Sequence, residues 1–323
     1  MSRSLLAFAA SFTLLVTSCV SKDSERTDRK YSEVEEKQII KVKKEVEIGR
    51  NMAGRLLRYW GTVDAPKVTR YINQLGAYVA QNSEYRDRKF MFEILDTPVI
   101  NAFAAPGGYI LITRGTLENA ANEAELAAVI AHEIAHIGKE HMLSTLVKID
   151  QDERNKENTK SKLPKSVEVR KRPDPKVSAI GSQLAKYISG SVAGLNVLKA
   201  ATAGMGIILE KGLDAQLEFD ADRVGNEILV NAGYYPYALV DFLCRIEIKR
   251  GGKKEDCFTG KTMDAKQKKS ILDKTHPSVP MRIAAAMKDL EALGAKDITG
   301  AQGKKRFKKK TKDMFMKTLS RKD

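Results

Sequence analysis

Histidine is scarce in this sequence. The 323 residues include four, and three of them lie in the stretch AHEIAHIGKEH, Ala131 to His141.

Long apolar runs are missing as well. In the apolar, Gly- and Ala-rich region 177–213, the longest uncharged segment, Tyr187–Leu198, is shorter than the ~20 residues that cross a bilayer. We therefore expect a buried helical hairpin over 177–213 and not a membrane span.

The N-terminus has the pattern of a secretory signal peptide over residues 1–18. Arg3 precedes the apolar run Leu5–Val16, which is too short to span a membrane. The ending Val-Thr-Ser-Cys resembles a bacterial lipobox, in which the signal is cleaved before a cysteine that becomes lipidated. We expect lipidation at Cys19 and a polar tether over residues 19–31. An ordinary signal peptide with a chance cysteine is the alternative.

Cysteine is rare too, with three residues. Lipidation of Cys19 would leave Cys244 and Cys257 as a pair in an exported, oxidising compartment, where disulfides persist. We expect these two residues to form a disulfide. Two free thiols are the alternative.

Negative charge is in the minority, and the formal net charge is +15. Much of the excess lies in the C-terminal tail, residues 301–323, where lysines alternate with apolar residues. Such a tail could lie on an anionic membrane surface, although a solvated, frayed terminus is the more common outcome. The stretch 148–176 has almost no apolar periodicity and is predicted to be a polar insertion. Nucleic acid is not an expected partner of an exported chain.

The remaining pattern predicts an α+β fold within one domain, residues 32–300, that is mostly helical with a small β-sheet before the HEIAH helix. KFMFEILD (Lys89–Asp96) alternates, and VINAFAAPGGYILIT (Val99–Thr113) is typical of two short strands around a Pro-Gly-Gly turn. Asn122 followed by Glu125 forms a capping box that begins the helix through HEIAH. Further helices are predicted over Tyr31–Trp60, Ala65–Gln81, Leu213–Ala232, Pro236–Arg250 and Val279–Leu293.

The HExxH pattern in this helix predicts a zinc site. Side chains four positions apart lie ~40° apart around a helix, so His132 and His136 project from one face and can bind one ion. Glu133 is offset by ~100° from His132, near enough to act as general base on a water at that ion. Neutral imidazole suits zinc, and an open coordination position makes such a site catalytic. Two core histidines without a metal are the alternative.

His141 is predicted not to be a ligand. HEIAHIGKEH is one residue short of HExxHxxGxxH, in which a glycine turn brings in a third histidine. On a continued helix, His141 would lie half a turn from His132 and well away from His136. We therefore expect a supporting or structural role for His141.

A third protein ligand is expected from the acidic stretch LEFDADRVG. Glu218 and Asp222 are spaced i, i+4 on a predicted helix, so one carboxylate could bind the metal while the other accepts a hydrogen bond from a ligand imidazole. Taken alone, this patch would be interpreted as a solvated face balanced by Arg223. The HExxH motif changes that interpretation, since zinc sites with two histidines and one glutamate take the third ligand from elsewhere in the chain.

Four motifs follow one another along the chain. They are NAFAAPGGYILITRGTL (Asn101–Leu117), ELAAVIAHEIAHIGKEH (Glu125–His141), EFDADRVG (Glu218–Gly225) with AGYYP (Ala232–Pro236), and THPSVPMR (Thr275–Arg282). In this order they resemble the motifs of the gluzincin zinc metallopeptidases of the HtpX and CAAX prenyl protease family, especially its periplasmic BepA- and LoiP-like members. The resemblance runs from about Glu33 to Leu293.

The resemblance implies a zincin-type metallopeptidase domain with one Zn²⁺ per chain. It implies His132, His136 and Glu218 as the ligands of that ion. It also implies Glu133 as the general base and Asp222 as the group behind a ligand histidine.

The resemblance further implies that the strand around Asn101, Ala102, Phe103 and Ala104 is an edge strand that lines the active site. An extended substrate would dock on this edge by strand addition. The 148–176 insertion, the basic tail and the cysteine pair are not part of the family's common pattern. Substrate access and specificity therefore stay open.

His276, in THPSVPMR, is the remaining histidine. A lone histidine before a proline is usually a loop residue, but with the resemblance we expect it close to the zinc. It could donate a hydrogen bond to the oxyanion that forms when water attacks the carbonyl. It could instead occupy the open position of the zinc and hold the enzyme latent. Arg282, on the helix that begins after Pro280, is expected to position this loop or to pair with an active-site carboxylate.

Together these features predict a zinc metalloendopeptidase of the bacterial cell envelope, a lipoprotein facing the periplasm. The expected process is periplasmic protein quality control or outer-membrane protein turnover. The expected partners are polypeptide substrates, chiefly unfolded or misassembled envelope proteins. The membrane is the second expected partner, contacted through the lipid anchor; contact through the basic tail is an open alternative. The competing prediction is a periplasmic chaperone or assembly factor that uses the zinc fold mainly to bind unfolded proteins.

Overall fold

The computed structural model describes residues 22–146, 197–258 and 276–319. The chain divides into two units, Met1–Ile40 and Lys41–Asp323. The first unit is described from Lys22 onward, within helix α1 (Lys22–Trp60). The predicted signal peptide, Cys19, the 148–176 insertion and most of the predicted 177–213 hairpin lie outside the described residues.

Helices dominate the described residues. After α1 they are α2 (Pro66–Gln81), α3 (Arg114–Asn119), α4 (Glu123–Gly138), α5 (Val197–Gly206), α6 (Ala215–Asn231), α7 (Ala238–Lys249), α8 (Val279–Ala292) and α9 (Lys304–Leu319). The π-helical turn Ile207–Lys211 follows α5, and 3₁₀ turns occur at Lys254–Phe258 and Ala295–Asp297. The predicted helices of the domain are confirmed. Helix α1 begins at Lys22, nine residues before the predicted start and inside the predicted tether 19–31, and the other ends differ by one or two residues.

The sheet has three strands, β1 (Met91–Leu95), β2 (Ala102–Ala105) and β3 (Tyr109–Thr113), in the order β1-β3-β2. Strands β2 and β3 form an antiparallel hairpin, and β1 pairs with β3 in parallel. This arrangement confirms the predicted α+β class and leaves β2 at an edge of the sheet.

Helix α4 begins at the predicted cap. The Asn122 side chain accepts a hydrogen bond from the Glu125 backbone N–H at 3.0 Å, and Glu125 Oε2 accepts one from Ala121 N at 2.8 Å. Every residue of α4 from Glu123 to Ile137 is buried. A helix that is buried on all sides lies at the centre of a hydrophobic core. The HExxH motif is part of this buried helix.

Helices α4 and α6 approach each other closely. A Cβ atom on Gly225 of α6 would lie 3.0 Å from the backbone nitrogen of His132 on α4. Any larger residue would push the helices apart, because this spacing is tighter than ordinary van der Waals contact. The close approach brings the acidic residues of α6 within reach of the α4 histidines.

The basic tail forms helix α9, and its apolar residues Phe307 and Met314 are buried. Phe307, Thr311 and Met314 are each at most 2% exposed, and the Arg306 guanidinium pairs with the buried Glu123 carboxylate. The spacing of the buried residues, i, i+4 and i+7, places them on one face, which packs against α2 and α4. The described part of the tail is therefore a docked helix, which neither of the two sequence-based alternatives anticipates. Among the described residues, no helix is both long and apolar enough to cross a bilayer.

Candidate metal centre

His132, His136 and Glu218 converge in the buried core. The Nε2 atoms of the two imidazoles lie 3.0 Å apart, and the Glu218 carboxylate oxygens lie 3.6 Å from each of them. The three potential ligand atoms are all within 4.8 Å of one another. Two imidazole nitrogens and one carboxylate oxygen are the ligand set of zinc sites that keep an open fourth position, so these residues fit the predicted ion.

Asp222 lies behind His132. Its Oδ1 is 2.8 Å from His132 Nδ1, the ring nitrogen that faces away from the cluster. Arg282 holds this carboxylate with two hydrogen bonds, from Nε to Oδ2 at 2.8 Å and from Nη2 to Oδ1 at 2.6 Å. Of the two roles predicted for Arg282, the structure shows the pairing with a site carboxylate.

His141 lies behind His136. The Nδ1 atoms of the two rings are 2.9 Å apart, and His141 Nε2 is 3.4 Å from Asp220 Oδ2. His141 is absent from the group of residues that could hold a metal. It therefore contacts a candidate ligand without belonging to the ligand set, as a supporting role requires.

A turn at the end of α4 brings His141 to this position. Helix α4 ends at Gly138, whose Cα faces the ring of Tyr85 so closely that a Cβ would lie 2.4 Å from it. The reversal itself occurs at Glu140, which has φ 55° and whose carboxylate pairs with Lys41 at 2.8 Å and Arg88 at 3.1 Å. Sequence reasoning misses this turn, because a glutamate is not the usual residue for left-handed backbone.

Glu133 lies beside the cluster and is 5% exposed. It lines two clefts that meet at the candidate metal centre. Burial raises the pKa of its carboxyl group, although the neighbouring His132 ring opposes that shift. A raised carboxyl pKa brings a general base closer to the pH at which it works.

His276 approaches the cluster from the loop before α8. Its Nδ1 contacts Glu218 Oε2, and its ring centroid lies 6.3 Å from that of His132. It also lines both clefts together with Glu133. The order of the motifs in the sequence predicts that His276 lies close to the metal centre. The structure places its ring beside Glu218.

The charges of the cluster favour a cation. Burial opposes ionisation of Glu218, but the His276 and His136 rings hold its pKa well below the ordinary value. Burial likewise opposes ionisation of Asp222, and Arg282 outweighs it, so the pKa of Asp222 falls to about 2. Burial lowers the pKa of His136 well below its usual range. His136 and Glu218 are therefore in the protonation states that bind a metal, whereas the His132 ring, whose pKa Asp222 raises to about 9 against the effect of burial, must release a proton when a metal binds.

Strand β2 presents backbone groups at the open edge. Thr113 N donates to Asn101 O at 3.1 Å, so Asn101 faces β3 and the alternate residues Ala102 and Ala104 direct their N–H and C=O groups away from it. The Asn101 side chain accepts a hydrogen bond from Ala102 N at 3.0 Å, and Thr116 donates to Asn101 O at 2.7 Å. Asn101 therefore anchors the strand next to the metal centre.

The larger of the two clefts lies along this edge on the His136 side. Phe103 forms part of it, and its ring is stacked on Trp60 with a centroid distance of 5.5 Å. The side chain thus supports the strand as well as lining the cleft. Other lining residues are Ala104, Pro106, Met142, Leu143, Ile207, Ile208 and Leu213.

Cys244 and Cys257 are joined by a disulfide. The bridge links α7 to the 3₁₀ turn Lys254–Phe258, and both cysteines are buried. The pairing that was expected from cysteine number and compartment is the pairing in the structure.

Comparison with known proteins agrees with this geometry. Residues 66–289 match the family described as peptidase family M48. A beta-barrel assembly-enhancing protease of Escherichia coli (strain K12) is 30% identical over 183 residues, which are 56% of this chain and 33% of that protein. Its counterpart in Yersinia pestis is 31% identical over 185 residues, 56% of this chain and 33% of that protein.

A mitochondrial protein is similar over a shorter stretch. The mitochondrial metalloendopeptidase OMA1 of Schizosaccharomyces pombe is 35% identical over 68 residues, 21% of this chain and 20% of that protein. The chain thus spans about a third of the length of the bacterial relatives it matches, and less of the mitochondrial one.

Proposed function

The chain belongs to peptidase family M48, and on this premise we propose that it is a zinc-dependent metalloendopeptidase. The observation that supports this function best is the buried convergence of His132, His136 and Glu218 beside Glu133. An open edge strand leads to the same point. Clefts on both sides of Glu133 leave room for a polypeptide to pass through, which suits cleavage within a chain.

The zinc ion, when bound by these three residues, supplies Lewis-acid activation of water and of the scissile carbonyl. Glu133 then accepts a proton from the attacking water and delivers it to the leaving amine. The Ala102 C=O and the N–H and C=O groups of Ala104, which face away from β3, hold the extended substrate by strand addition.

The groups behind the histidines fix the direction of the rings. With Nε2 of His132 turned to the metal, its Nδ1–H donates to Asp222, which Arg282 holds in place. With Nε2 of His136 turned to the metal, its Nδ1–H donates to His141. Each ligand imidazole thereby has one defined tautomer.

His276 has two candidate roles in this function. As a hydrogen-bond donor it would stabilise the oxyanion, and as a neutral ligand it would fill the open position of the metal. Its contact with Glu218 supports an action at the metal centre in either case. The two roles predict opposite effects of its removal.

We also infer a setting for this activity. Lipidation at Cys19 would anchor the protein to a membrane of the bacterial envelope, facing the periplasm, where unfolded or misassembled envelope proteins are the substrates. The similarity to beta-barrel assembly-enhancing proteases supports a role in envelope protein quality control. The word "assembly" in the name of those relatives also supports the second candidate, a periplasmic chaperone or assembly factor that uses the zinc fold mainly to bind unfolded proteins.

Digestion of an unfolded protein such as casein tests the proposed function. The wild type should produce fragments, and Glu133→Gln should fold, retain zinc and produce none. Glu291→Gln is the matched control, because this glutamate on α8 is exposed and remote from the centre. Equal cleavage by Glu133→Gln and the wild type would refute the role of Glu133. Loss of cleavage with full function in cells would favour the binding factor.

A further inference from the structure

A network of charged side chains joins three segments at the wall of the larger cleft. Arg88, in the segment between α2 and β1, donates from Nη1 to Glu45 Oε1 at 3.0 Å and from Nη2 to Glu140 Oε1 at 3.1 Å. Lys41 Nζ donates to both carboxylate oxygens of Glu140 at 2.8 Å. Glu45 and Glu140 both line the cleft, and the Glu45 side chain is only 4% exposed.

We propose that Arg88 is a positioning residue of the peptidase site. Through its two carboxylate partners it fixes both the turn that carries His141 and the hairpin that contains β2. This inference rests on the proposed peptidase function and adds to it a residue that acts through others. Arginine suits the role because its planar guanidinium offers two Nη groups to two separate carboxylates, whereas a lysine ammonium is a single point charge.

The contact with Glu140 supports a backbone conformation that L residues rarely adopt. Glu140 has φ 55° and directly precedes His141, whose Nδ1 lies 2.9 Å from that of His136. Such a conformation persists only where the surrounding contacts determine it. Burial opposes ionisation of Glu140, but Lys41 and Arg88 outweigh it, so the pKa of this carboxyl group lies below its ordinary value. Arg88 thereby helps to keep the His141 ring against a proposed metal ligand.

The contact with Glu45 reaches the tip of the β2–β3 hairpin. Glu45 Oε1 also accepts a hydrogen bond from Gly107 N at 3.1 Å. Helix α1 and the hairpin tip are in close contact, since a Cβ on Gly107 would lie 2.5 Å from Val46 Cα. A tip that is packed and bonded in this way restricts the movement of β2, the strand proposed to hold the substrate.

The segment that carries Arg88 also contacts the end of α4. Arg88 N donates to Tyr85 O at 2.9 Å, so the two residues belong to one turn. The ring of Tyr85 packs on Gly138, the last residue of α4, so closely that a Cβ there would lie 2.4 Å from it. This packing holds the guanidinium beside the turn at Glu140.

Zinc affinity tests the contact between Arg88 and Glu140. In competition with a chelator of known affinity, Arg88→Ala should bind zinc about tenfold more weakly than the wild type, at the low end of the range for loss of a group behind a ligand. Glu140→Gly removes the same contact but relaxes the turn, because glycine adopts positive φ without strain. In the Glu140→Gly background, Arg88→Ala should therefore have no further effect on zinc affinity. Equal losses in both backgrounds would overturn the inference.

Binding of fluorescein-labelled casein tests the contact between Arg88 and Glu45. The measurement uses zinc-loaded Glu133→Gln protein, in which cleavage does not interfere. Adding Arg88→Ala should weaken casein binding by about three- to tenfold, the range for residues coupled through one network. Arg86→Ala, which removes an exposed arginine of the same segment, is the control for both measurements and should change neither.

Arg88→Lys distinguishes bridging from charge alone. Lysine keeps the positive charge but pairs with one carboxylate, so this variant should restore at most one of the two affinities. Full restoration of both would overturn the inference. Urea unfolding shows which variants are folded, and if Arg88→Ala is not, Arg88→Lys and Glu140→Gly decide the outcome.

The same measurements separate this inference from the proposed function. A wild type that binds zinc and casein but cleaves nothing refutes the peptidase function, while weaker zinc and casein binding by the Arg88 variants still supports the positioning role. Unchanged zinc and casein affinities in folded Arg88 variants contradict the positioning role even if the wild type is an active peptidase.

Discussion

At the scale of single residues, the two candidate ligand histidines differ in what holds their second ring nitrogen. His132 faces an ionised carboxylate, and burial, which disfavours the charged ring, is outweighed by Asp222, so the pKa of His132 rises to about 9. His136 faces the imidazole of His141, and burial keeps the pKa of His136 low. The first ring is positioned by charge and the second by a hydrogen bond between neutral groups.

Removal of Glu218 should abolish tight zinc binding, whereas removal of His141 should only weaken it. Glu218→Ala deletes a proposed ligand, while His141→Ala deletes a hydrogen-bond partner of one, which typically costs about 10–100-fold in metal affinity. Competition with a zinc chelator of known affinity measures both variants. If His141→Ala loses the ion and Glu218→Ala keeps it, the ligand assignment is wrong.

His276→Ala distinguishes the two roles of that ring. Peptidase activity should fall by about 100-fold or more if the imidazole stabilises the oxyanion, and it should rise if the imidazole blocks the metal. Zinc content, measured in parallel, should stay near one ion per chain in both cases. Unchanged activity with unchanged zinc content would exclude both roles.

At the scale of elements, α9 is fastened to the first turn of α4. Glu123 accepts hydrogen bonds from Tyr71 at 2.7 Å, from Tyr234 at 2.8 Å and from Arg306 Nε at 2.7 Å. Burial opposes ionisation of Glu123, but Arg306 and the two tyrosines hold its pKa below the ordinary value. The C-terminal helix thus contributes to the position of the helix that presents the HExxH motif.

Arg306→Ala should lower the free energy of unfolding by about 1–3 kcal/mol at neutral pH, because it leaves a buried carboxylate without its cationic partner. The pKa of Glu123 is lower in the folded state than in the unfolded state. The stabilisation by the Arg306–Glu123 pair is therefore fully present above the unfolded-state pKa of about 4.3, and it is lost as pH falls through the lower folded-state pKa. Urea unfolding of wild type and variant across this range measures the difference. Lys310→Ala, exposed on the same helix, is the control. If the difference in unfolding free energy between the wild type and Arg306→Ala grows on acidification, Arg306 does not stabilise the protein through the ionised Glu123 carboxylate.

Reduction of the Cys244–Cys257 disulfide should destabilise the protein by about 3 kcal/mol in the chain-entropy model. The bridge closes a short loop, with a sequence separation of 13. Urea unfolding with and without reductant measures the effect, and Cys244→Ser/Cys257→Ser should match the reduced wild type. Labelling of both thiols in unreduced, denatured protein would show that the bridge does not form in the cell.

At the scale of the whole molecule, docking of α9 buries Phe307 and Met314 and leaves lysines of the same helix exposed. Phe307, Thr311 and Met314 are buried, and at ~100° per residue Lys305, Lys309 and Lys312 lie on the opposite side of the helix. These three lysines are exposed. Contact between these lysines and an anionic membrane would be electrostatic.

A protein with Cys19→Ala, which removes the proposed lipid anchor, should still bind vesicles that contain phosphatidylglycerol at low salt. Each lysine near an anionic surface contributes about 1 kcal/mol, so Lys305→Gln, Lys309→Gln and Lys312→Gln together should weaken binding by about 100-fold. Added salt should release the protein. The charge-matched control replaces Lys254, Lys288 and Lys296, which are exposed elsewhere. Equal flotation of both triple variants would exclude the α9 face.

The sequence by itself determined the features that depend on local periodicity. One helical turn places His132 and His136 on a common face, Asn122 caps their helix, and the Pro-Gly-Gly turn sets up the strand hairpin. These features follow from residues close together in the chain, whose relative positions depend on backbone geometry alone.

Only the tertiary structure decided how remote segments meet. The contact at Gly225 directs Glu218 to the Nε2 atoms and Asp222 to Nδ1 of His132, a choice that the i, i+4 spacing left open. The turn at Glu140 brings His141 to His136, and packing of α7 beside α4 forms one of the two clefts that Glu133 lines. Distances between segments far apart in sequence are set by side-chain packing and by paired buried charges, and no repeat of residue types along the chain encodes them.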